Sequence, residues 1–325
     1  MCTAATYATK DFYFGRNLDL EYSYRESVTI TPRDYPLRFR NGQTLERHYA
    51  LIGMATVAEN YPLYYEATNE KGLSMAGLNF PKNAVYYPFE AKKENITPFE
   101  LIPWLLGQCA TVAEAEILLH NLNIWKEPFS SAFPLSPLHW MLADRDSCLV
   151  LEPMADGLKI HKNPVGILTN NPPFDFHMYN LANHMNVSPL PPENRFSKSI
   201  ELIPFSLGMG SIGLPGDMSS PSRFVKAAFT KLNSRSGDSE SESISQFFHI
   251  LGSVSQPRGL TNVRGEEYEF TLYSSCCNTD KGIYYYTTYE NSQITAIDMH
   301  KEDLDGDTLC IRQQIRRQQI LRQNG

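Results

Sequence analysis

The sequence predicts an α+β protein built on antiparallel sheets, and three observations carry that expectation. Segments of strand character come in runs, one over about the first 90 residues, a second over 139–169 and a third over 268–297. Helical segments fall between these runs, unlike the strict strand–helix alternation of a doubly wound fold. No internal repeat of roughly 20–50 residues points to a solenoid or propeller. The chain of 325 residues is 42% hydrophobic, enough for a substantial core. Length alone permits about two domains or one large layered domain.

Taken in order, Cys2 to Thr9 and Phe12 to Asn17 flank the Lys10-Asp11 turn and read as a hairpin. Val28 to Thr31, Tyr49 to Val57 and Gly72 to Asn79 read as further strands. Thr97-Pro98-Phe99-Glu100 predicts a helix start, with a cap, a proline at the first helical position and a glutamate three residues after the cap. Thr111 and Glu114 repeat the pattern, and Ala115, Leu118 and Leu119 follow at helical spacing. Trp140 to Ala143, Cys148 to Glu152, Leu158 to His161 and Val165 to Leu168 form the second run, followed by loops dense in Asn and Pro. Ser220-Pro221-Ser222-Arg223 opens a helix to about Leu232. Ser234 to Ser243 reads as an exposed linker, and Ile244 to Leu251 as a short helix. Tyr268 to Ser274, Gly282 to Tyr289 and Gln293 to Ile297 complete the strands. Ile311 to Gly325 carries four arginines and no acidic residue, and is expected to be a frayed basic tail.

Composition narrows the function. With 29 Lys+Arg against 36 Asp+Glu the net charge is −7, which argues against a nucleic-acid backbone binder. No apolar run approaches the ~20 residues a bilayer span needs. The N-terminal residues lack a basic stretch followed by an apolar core, so a cytoplasmic, reducing location is expected. The six cysteines are then expected to be free thiols rather than a disulfide framework. Neither they nor the eight histidines show metal-ligand spacing, so no metal is expected. Gly208-Met209-Gly210-Ser211-Ile212-Gly213 fits G-x-G-x-x-G, but Leu214-Pro215-Gly216 ends any helix after it. A P-loop, HExxH and GxSxG are missing.

Cys2 directly follows the initiator Met1. A small second residue favours Met1 removal, which would give Cys2 a thiol and a free α-amine on one residue. The amine, with an ordinary pKa of about 7.7–8.0, can relay the thiol proton without a histidine. A plain structural cysteine is the competing reading. In Gly15-Arg16-Asn17-Leu18-Asp19, on the hairpin partner, an arginine can favour thiolate and a carboxylate can hold an ammonium. A regular strand puts Arg16 and Leu18 on one face and Asn17 and Asp19 on the other. Bringing Arg16 and Asp19 together at Cys2 needs a bend near Leu18, which the sequence does not specify.

Six blocks carry a resemblance: MCTAATYATKDFYFGRNLDLEYSY, NEKGLSMAGLNFP, LSPLHWMLAD, VGILTNNPPFDF, SIGLPGDMSSPSRF and GIYYYTTYENSQITAIDM. Over about residues 1–305 the chain resembles the choloylglycine hydrolases, the bile salt hydrolases and penicillin V acylases among the N-terminal-nucleophile (Ntn) hydrolases. The resemblance is strongest to bile salt hydrolases of Gram-positive gut bacteria. It implies a four-layer αββα sandwich, one domain over 1–325, and an amide hydrolase acting on glycine- or taurine-conjugated bile salts through a thioester. It also implies no cofactor and a homotetramer. Carried over by position, Cys2 is the nucleophile, with Arg16 and Asp19 beside it. Asn79 and Asn170 serve the oxyanion, and Arg223 supplies positive field. Asparagine at position 79 favours bile salts over penicillin V, because the acylases tend to have tyrosine there. Leu18, Tyr24, Ala58, Tyr65, Phe129, Phe133 and Leu138 match the pocket wall.

On residues alone, Asn79 and Asn170 also suit turn caps. Asp19 suits a surface carboxylate, and the seven wall residues suit core packing. Arg223 sits in a first helical turn, against the macrodipole. Penicillin V acylase activity and an inactive bile-binding protein remain the alternative functions.

Overall fold

Alternation in the first hairpin sets up the whole architecture. In the computed structural model, which describes residues 1–324, β1 (Cys2–Ala8) and β2 (Phe12–Leu20) pair antiparallel, with Cys2 opposite Leu18. β3 (Ser27–Thr31), the short pair β4 (Leu37–Arg38) and β5 (Thr44–Leu45), and β6 (Leu51–Ala58) follow. Then come β7 (Tyr61–Asn69), β8 (Ser74–Asn79), β9 (Glu94–Ile96), α1 (Leu101–Gln108) and α2 (Val112–Leu119). β10 (Leu122–Ile124), β11 (Leu138–Ala143), β12 (Cys148–Met154), β13 (Gly157–Lys162) and β14 (Ile167–Leu168) lead to α3 (Phe174–Leu181), α4 (Ser220–Asn233) and α5 (Glu240–Gly252). β15 (Thr261–Arg264), β16 (Glu267–Asn278), β17 (Ile283–Thr288), β18 (Asn291–Asp298) and β19 (Cys310–Gln313) close the chain.

Two large sheets result. One has the order β14-β1-β2-β16-β17-β18, with β15 on β16; the other runs β13-β12-β11-β8-β7-β6-β3-β19. Every pairing in both is antiparallel. The second sheet is buried on both faces, as its alternation shows. Ile52, Met54, Ala76, Leu78, Met141 and Val150 pack toward the first sheet, in one core with Ala4, Phe14 and Tyr273. Their neighbours Leu51, Ala55, Met75, Trp140, Leu142 and Leu149 pack with Leu101, Leu105 and Ala115 of α1 and α2. On the far side of the first sheet, α4 and α5 bury Phe224, Ala227, Phe247 and Ile250 in the first core. Helix, sheet, sheet and helix form the four-layer αββα sandwich of the Ntn-hydrolase fold.

Several boundaries differ from expectation, each for a local reason. Residues 97–100 form a turn before α1, because Glu100 folds back onto the Thr97 backbone N–H at 3.1 Å and hydroxyl at 2.8 Å. α5 begins four residues earlier than Ile244, inside the expected linker, capped by a Ser239–Glu242 capping box. β7 is a full strand despite Pro62 and Glu66, and α3 lies within the Asn- and Pro-dense region. The tail expected to fray from Ile311 instead starts on β19, which pairs with β3 over Cys310–Gln313.

Candidate active site

The ends of five elements meet at one end of the sandwich. Antiparallel pairing puts Cys2, at the start of β1, beside Leu18 and Asp19 at the end of β2. Gly15 lets β16 lie close, since a side chain there would collide with the Ser275 carbonyl. Asn79 ends β8, and Asn170 follows β14 by two residues. Arg223 lies on the face of α4 that buries Ser220, Phe224, Ala227 and Ala228, a helical stripe turned to the sheet.

Asn170 is the hub of this corner. Its Oδ1 accepts from the Cys2 backbone N at 2.8 Å and from Arg223 at 2.7 Å, and its Nδ2 donates to the Asn79 carbonyl at 2.7 Å. Its backbone N donates to Ser220 Oγ, and its carbonyl accepts from His177 Nε2, both at 2.8 Å. Arg223 also donates to the Cys2 carbonyl at 2.5 Å and to Thr3 Oγ1 at 2.6 Å. Asn79 has no side-chain hydrogen bond among the described residues, and stands half-buried at the strand end. The two asparagines are therefore not equivalent: Asn170 commits Oδ1 and one of its two Nδ2 N–H donors to neighbours, and the Asn79 side-chain amide is free.

Arg16 is completely buried, donating to the carbonyls of Gly77 at 2.6 Å and Tyr65 at 3.0 Å. Its second guanidinium nitrogen has no partner. Burial opposes its charge, but Cys2, Tyr273, Glu66 and Asp19 around it outweigh that and raise its pKa. Glu66, buried 3.9 Å from Arg16, accepts from Tyr273 at 2.7 Å, Tyr284 at 2.5 Å and Ser275 at 3.0 Å. Arg223 feels the opposite balance: burial lowers its pKa against the pull of Asp19 and Cys2.

Among the described residues, no hydrogen bond joins the Asp19 carboxylate to Cys2. That carboxylate accepts from Thr271 Oγ1 at 2.6 Å and Gln256 Nε2 at 3.2 Å, while the Asp19 backbone pairs with Met1. The bend that the sequence left unspecified has its counterpart across the sheet. The β2–β16 register shifts between Thr271 and Tyr273, opposite Asp19 and Leu18. The Met1 amine contacts Glu269, and burial lowers its pKa, opposed by Cys2 and Asp19 and reinforced by Arg223 and Arg16. Glu66, Gln256, Thr271, Ser220 and His177, which brace these residues, were not foreseen. No local motif marks them, since each acts on a residue of another element or loop.

The expected wall residues divide into two groups. Leu18 is opposite Cys2, Leu138 is opposite Asn79, and Tyr65 meets Arg16 through its carbonyl. Thr56 Oγ1 joins the Tyr65 hydroxyl at 2.9 Å to the exposed Tyr24, whose carbonyl is at 3.2 Å. Ala58 pairs with Tyr61 at the β6–β7 hairpin, where Tyr61, Phe99, Phe129 and Phe133 form a ring cluster. Phe129 is buried in it, and Phe133 is half-exposed at its edge. Surface clefts of about 630 Å³, beside Arg33 and Lys71, and about 370 Å³, between α5 and β16–β18, include none of these wall residues. Among the described residues, no acidic, histidine or cysteine group is placed to hold a metal, and no helix is long and apolar enough to cross a membrane.

Residues 2–312 match the family described as linear amide C–N hydrolases, choloylglycine hydrolase family. The chain is 57% identical over 305 residues, 94% of each chain, to the bile salt hydrolase/transferase of Lactiplantibacillus plantarum. It is 39% identical over 316 residues, 95% of each chain, to the bile salt hydrolase/transferase of Clostridium perfringens. A crystal structure of a variant of the conjugated bile acid hydrolase from C. perfringens superposes with a TM-score of 0.92 at 37% identity, over 99% of this chain and 100% of that one. Penicillin V acylase from Agrobacterium tumefaciens shares the fold, with a TM-score of 0.73 at 21% identity over 95% and 90% of the two chains.

Proposed function

The chain belongs to the choloylglycine hydrolase family, and from that membership we infer that it hydrolyses the amide bond of glycine- or taurine-conjugated bile salts. The products are the free bile acid and the amino acid. One observation carries the mechanism: the Cys2 backbone nitrogen is fixed on Asn170 Oδ1 at 2.8 Å, in a corner already braced by Arg223. Removal of Met1 turns that nitrogen into an α-amine without moving its partner.

The amine then takes the thiol proton, and Cys2 Sγ attacks the amide carbonyl carbon. The free side-chain amide of Asn79 donates to the oxyanion, a contribution of about 2.7–4 kcal/mol for one such donor. Asn170 holds the amine through Oδ1, and the Nδ2 N–H not given to Asn79 remains a donor for the oxyanion. The C–N bond breaks, and the departing glycine or taurine nitrogen takes the proton from the Cys2 ammonium. Water, deprotonated by the same amine, hydrolyses the thioester and restores the thiol. Arg16 keeps a buried positive charge in the corner, and Asp19 stabilises the ammonium through space. Leu18, Tyr24, Ala58, Tyr65, Phe129, Phe133 and Leu138 wall the steroid. The same reading takes the chain as one domain working without a cofactor, as a cytoplasmic homotetramer.

Amine release from glycocholate, taurocholate and penicillin V tests this. The bile salts are cleaved faster than penicillin V, and Cys2→Ala is silent, a loss on the order of 10⁵–10⁶ in kcat. Intact bile salts, or full cleavage by Cys2→Ala, overturn it.

A further inference from the structure

The family match ends at residue 312, but the chain beyond it keeps hydrogen bonds to both sheets. Gln314 Nε2 contacts Met54 Sδ at 3.4 Å on the second sheet. On the first sheet, the Ile315 N–H donates to the Tyr286 hydroxyl at 2.8 Å, and the Ile315 carbonyl accepts from Asn291 at 2.9 Å. Gln318 Oε1 accepts from the Ser292 N–H at 2.9 Å. This strap carries Arg316 to the loop of residues 21–26, which starts two residues after Asp19.

One Arg316 guanidinium nitrogen donates to Ser23 Oγ at 2.9 Å and to Glu26 Oε1 at 3.1 Å. The Glu26 side chain is only 1% exposed, and Ser23 Oγ donates to its other oxygen at 2.8 Å. Arg316 is thus the cation that compensates a buried carboxylate. The turn is tight: Arg25 has a left-handed φ of 62°, and its N–H donates to Ser23 Oγ at 3.0 Å. Between these fixed points the loop presents Tyr22 and Tyr24, ring centroids 5.0 Å apart and hydroxyls 2.8 Å apart, both largely exposed. Thr56 then connects the Tyr24 carbonyl, through Tyr65, to Arg16.

We propose that Arg316 is a positioning residue for substrate: through Ser23 and Glu26 it fixes the loop that sets Tyr22 and Tyr24 at the steroid entrance. The proposal rests on the bile salt reading above. A merely structural strap would support the β3 edge and leave substrate affinity alone.

The test compares the full chain with Arg316→Ala, Arg316→Lys and a chain stopped after Gln313. Glycocholate kinetics and hydrogen exchange of residues 21–26 are measured for each. Arg316→Ala and the stopped chain raise KM about fivefold with kcat unchanged, and exchange at 21–26 accelerates. Arg316→Lys restores both, because one nitrogen makes both contacts. Unchanged KM and unchanged exchange in Arg316→Ala overturn the proposal, as does a fall in kcat without a rise in KM. A full chain that releases no glycine overturns the bile salt reading itself. An active full chain with an unaltered Arg316→Ala overturns only the strap.

Discussion

The polar corner around Cys2 and the aromatic wall beside it are built in opposite ways. In the corner, Arg16, Asp19, Asn170 and Arg223 are 5% exposed or less, the first two placed by strand register and the last two by hydrogen bonds between elements. The wall adds loop residues and a hairpin end to the strand residues Leu18, Tyr65 and Leu138, and Tyr24 is 40% exposed. A corner made this way tolerates little change, because each polar group removed leaves another one buried and unpaired. A wall made of aromatic edges can change shape at low cost. Under the proposed function, chemistry falls to the rigid corner and substrate preference to the adaptable rim.

The sharpest way to break the comparison is inside the corner. Asn79→Ala removes a free amide, so kcat falls about 10²–10³-fold while stability stays within about 0.5 kcal/mol of wild type. Asn170→Ala also abolishes activity, but takes a partner from one Arg223 nitrogen and from the buried Cys2 nitrogen and lowers stability by about 1.5–3 kcal/mol. Denaturant melts beside glycocholate kinetics separate the two. Equal stability losses would erase the distinction between them.

Acid tests the same corner through His177. A carbonyl only accepts, so His177 donates to Asn170 from Nε2, a bond that by itself favours the protonated ring. Burial holds its pKa down at about 4, against an ordinary 6.5. The unfolded chain binds the proton first, so this site loses stability as pH falls from 6.5 toward 4. The loss is on the order of 3 kcal/mol over that window. His177→Gln, whose side-chain amide can still donate, flattens that slope in melts at stepped pH. An unchanged slope would remove His177 from the account.

The smallest effect belongs to the wall. Phe133→Ala exposes no buried polar group, and raises KM for glycocholate by about tenfold with kcat nearly unchanged. A kcat loss equal to that of Asn79→Ala would show that the wall and corner are not separable.

The sequence reads well where the physics is local. The Lys10-Asp11 hairpin, the Thr111 cap of α2 and the proline-bearing start of α4 each follow from neighbouring residues. It reads poorly where tertiary partners decide. Glu66 lies mid-strand in β7 only because Tyr273, Tyr284 and Ser275 satisfy it from the other sheet. The residues of the corner were legible by resemblance, but their division of labour was not. Asn79 and Asn170 look alike in sequence, and only their contacts show that Asn170 Oδ1 holds the Cys2 nitrogen and Arg223 while the Asn79 side chain is unpaired among the described residues. The tail appeared solvated because its partners, Glu26, Tyr286 and Asn291, are far away in the chain.

The central claim is that Cys2, freed of Met1, carries the acyl group. Intact and peptide mass spectrometry of active enzyme, quenched during glycocholate turnover, tests it most directly. The account predicts an N-terminal peptide that starts at Cys2 and bears the bile acyl group as a thioester. Fully active protein that retains Met1, or an acyl group on any other residue, would contradict it.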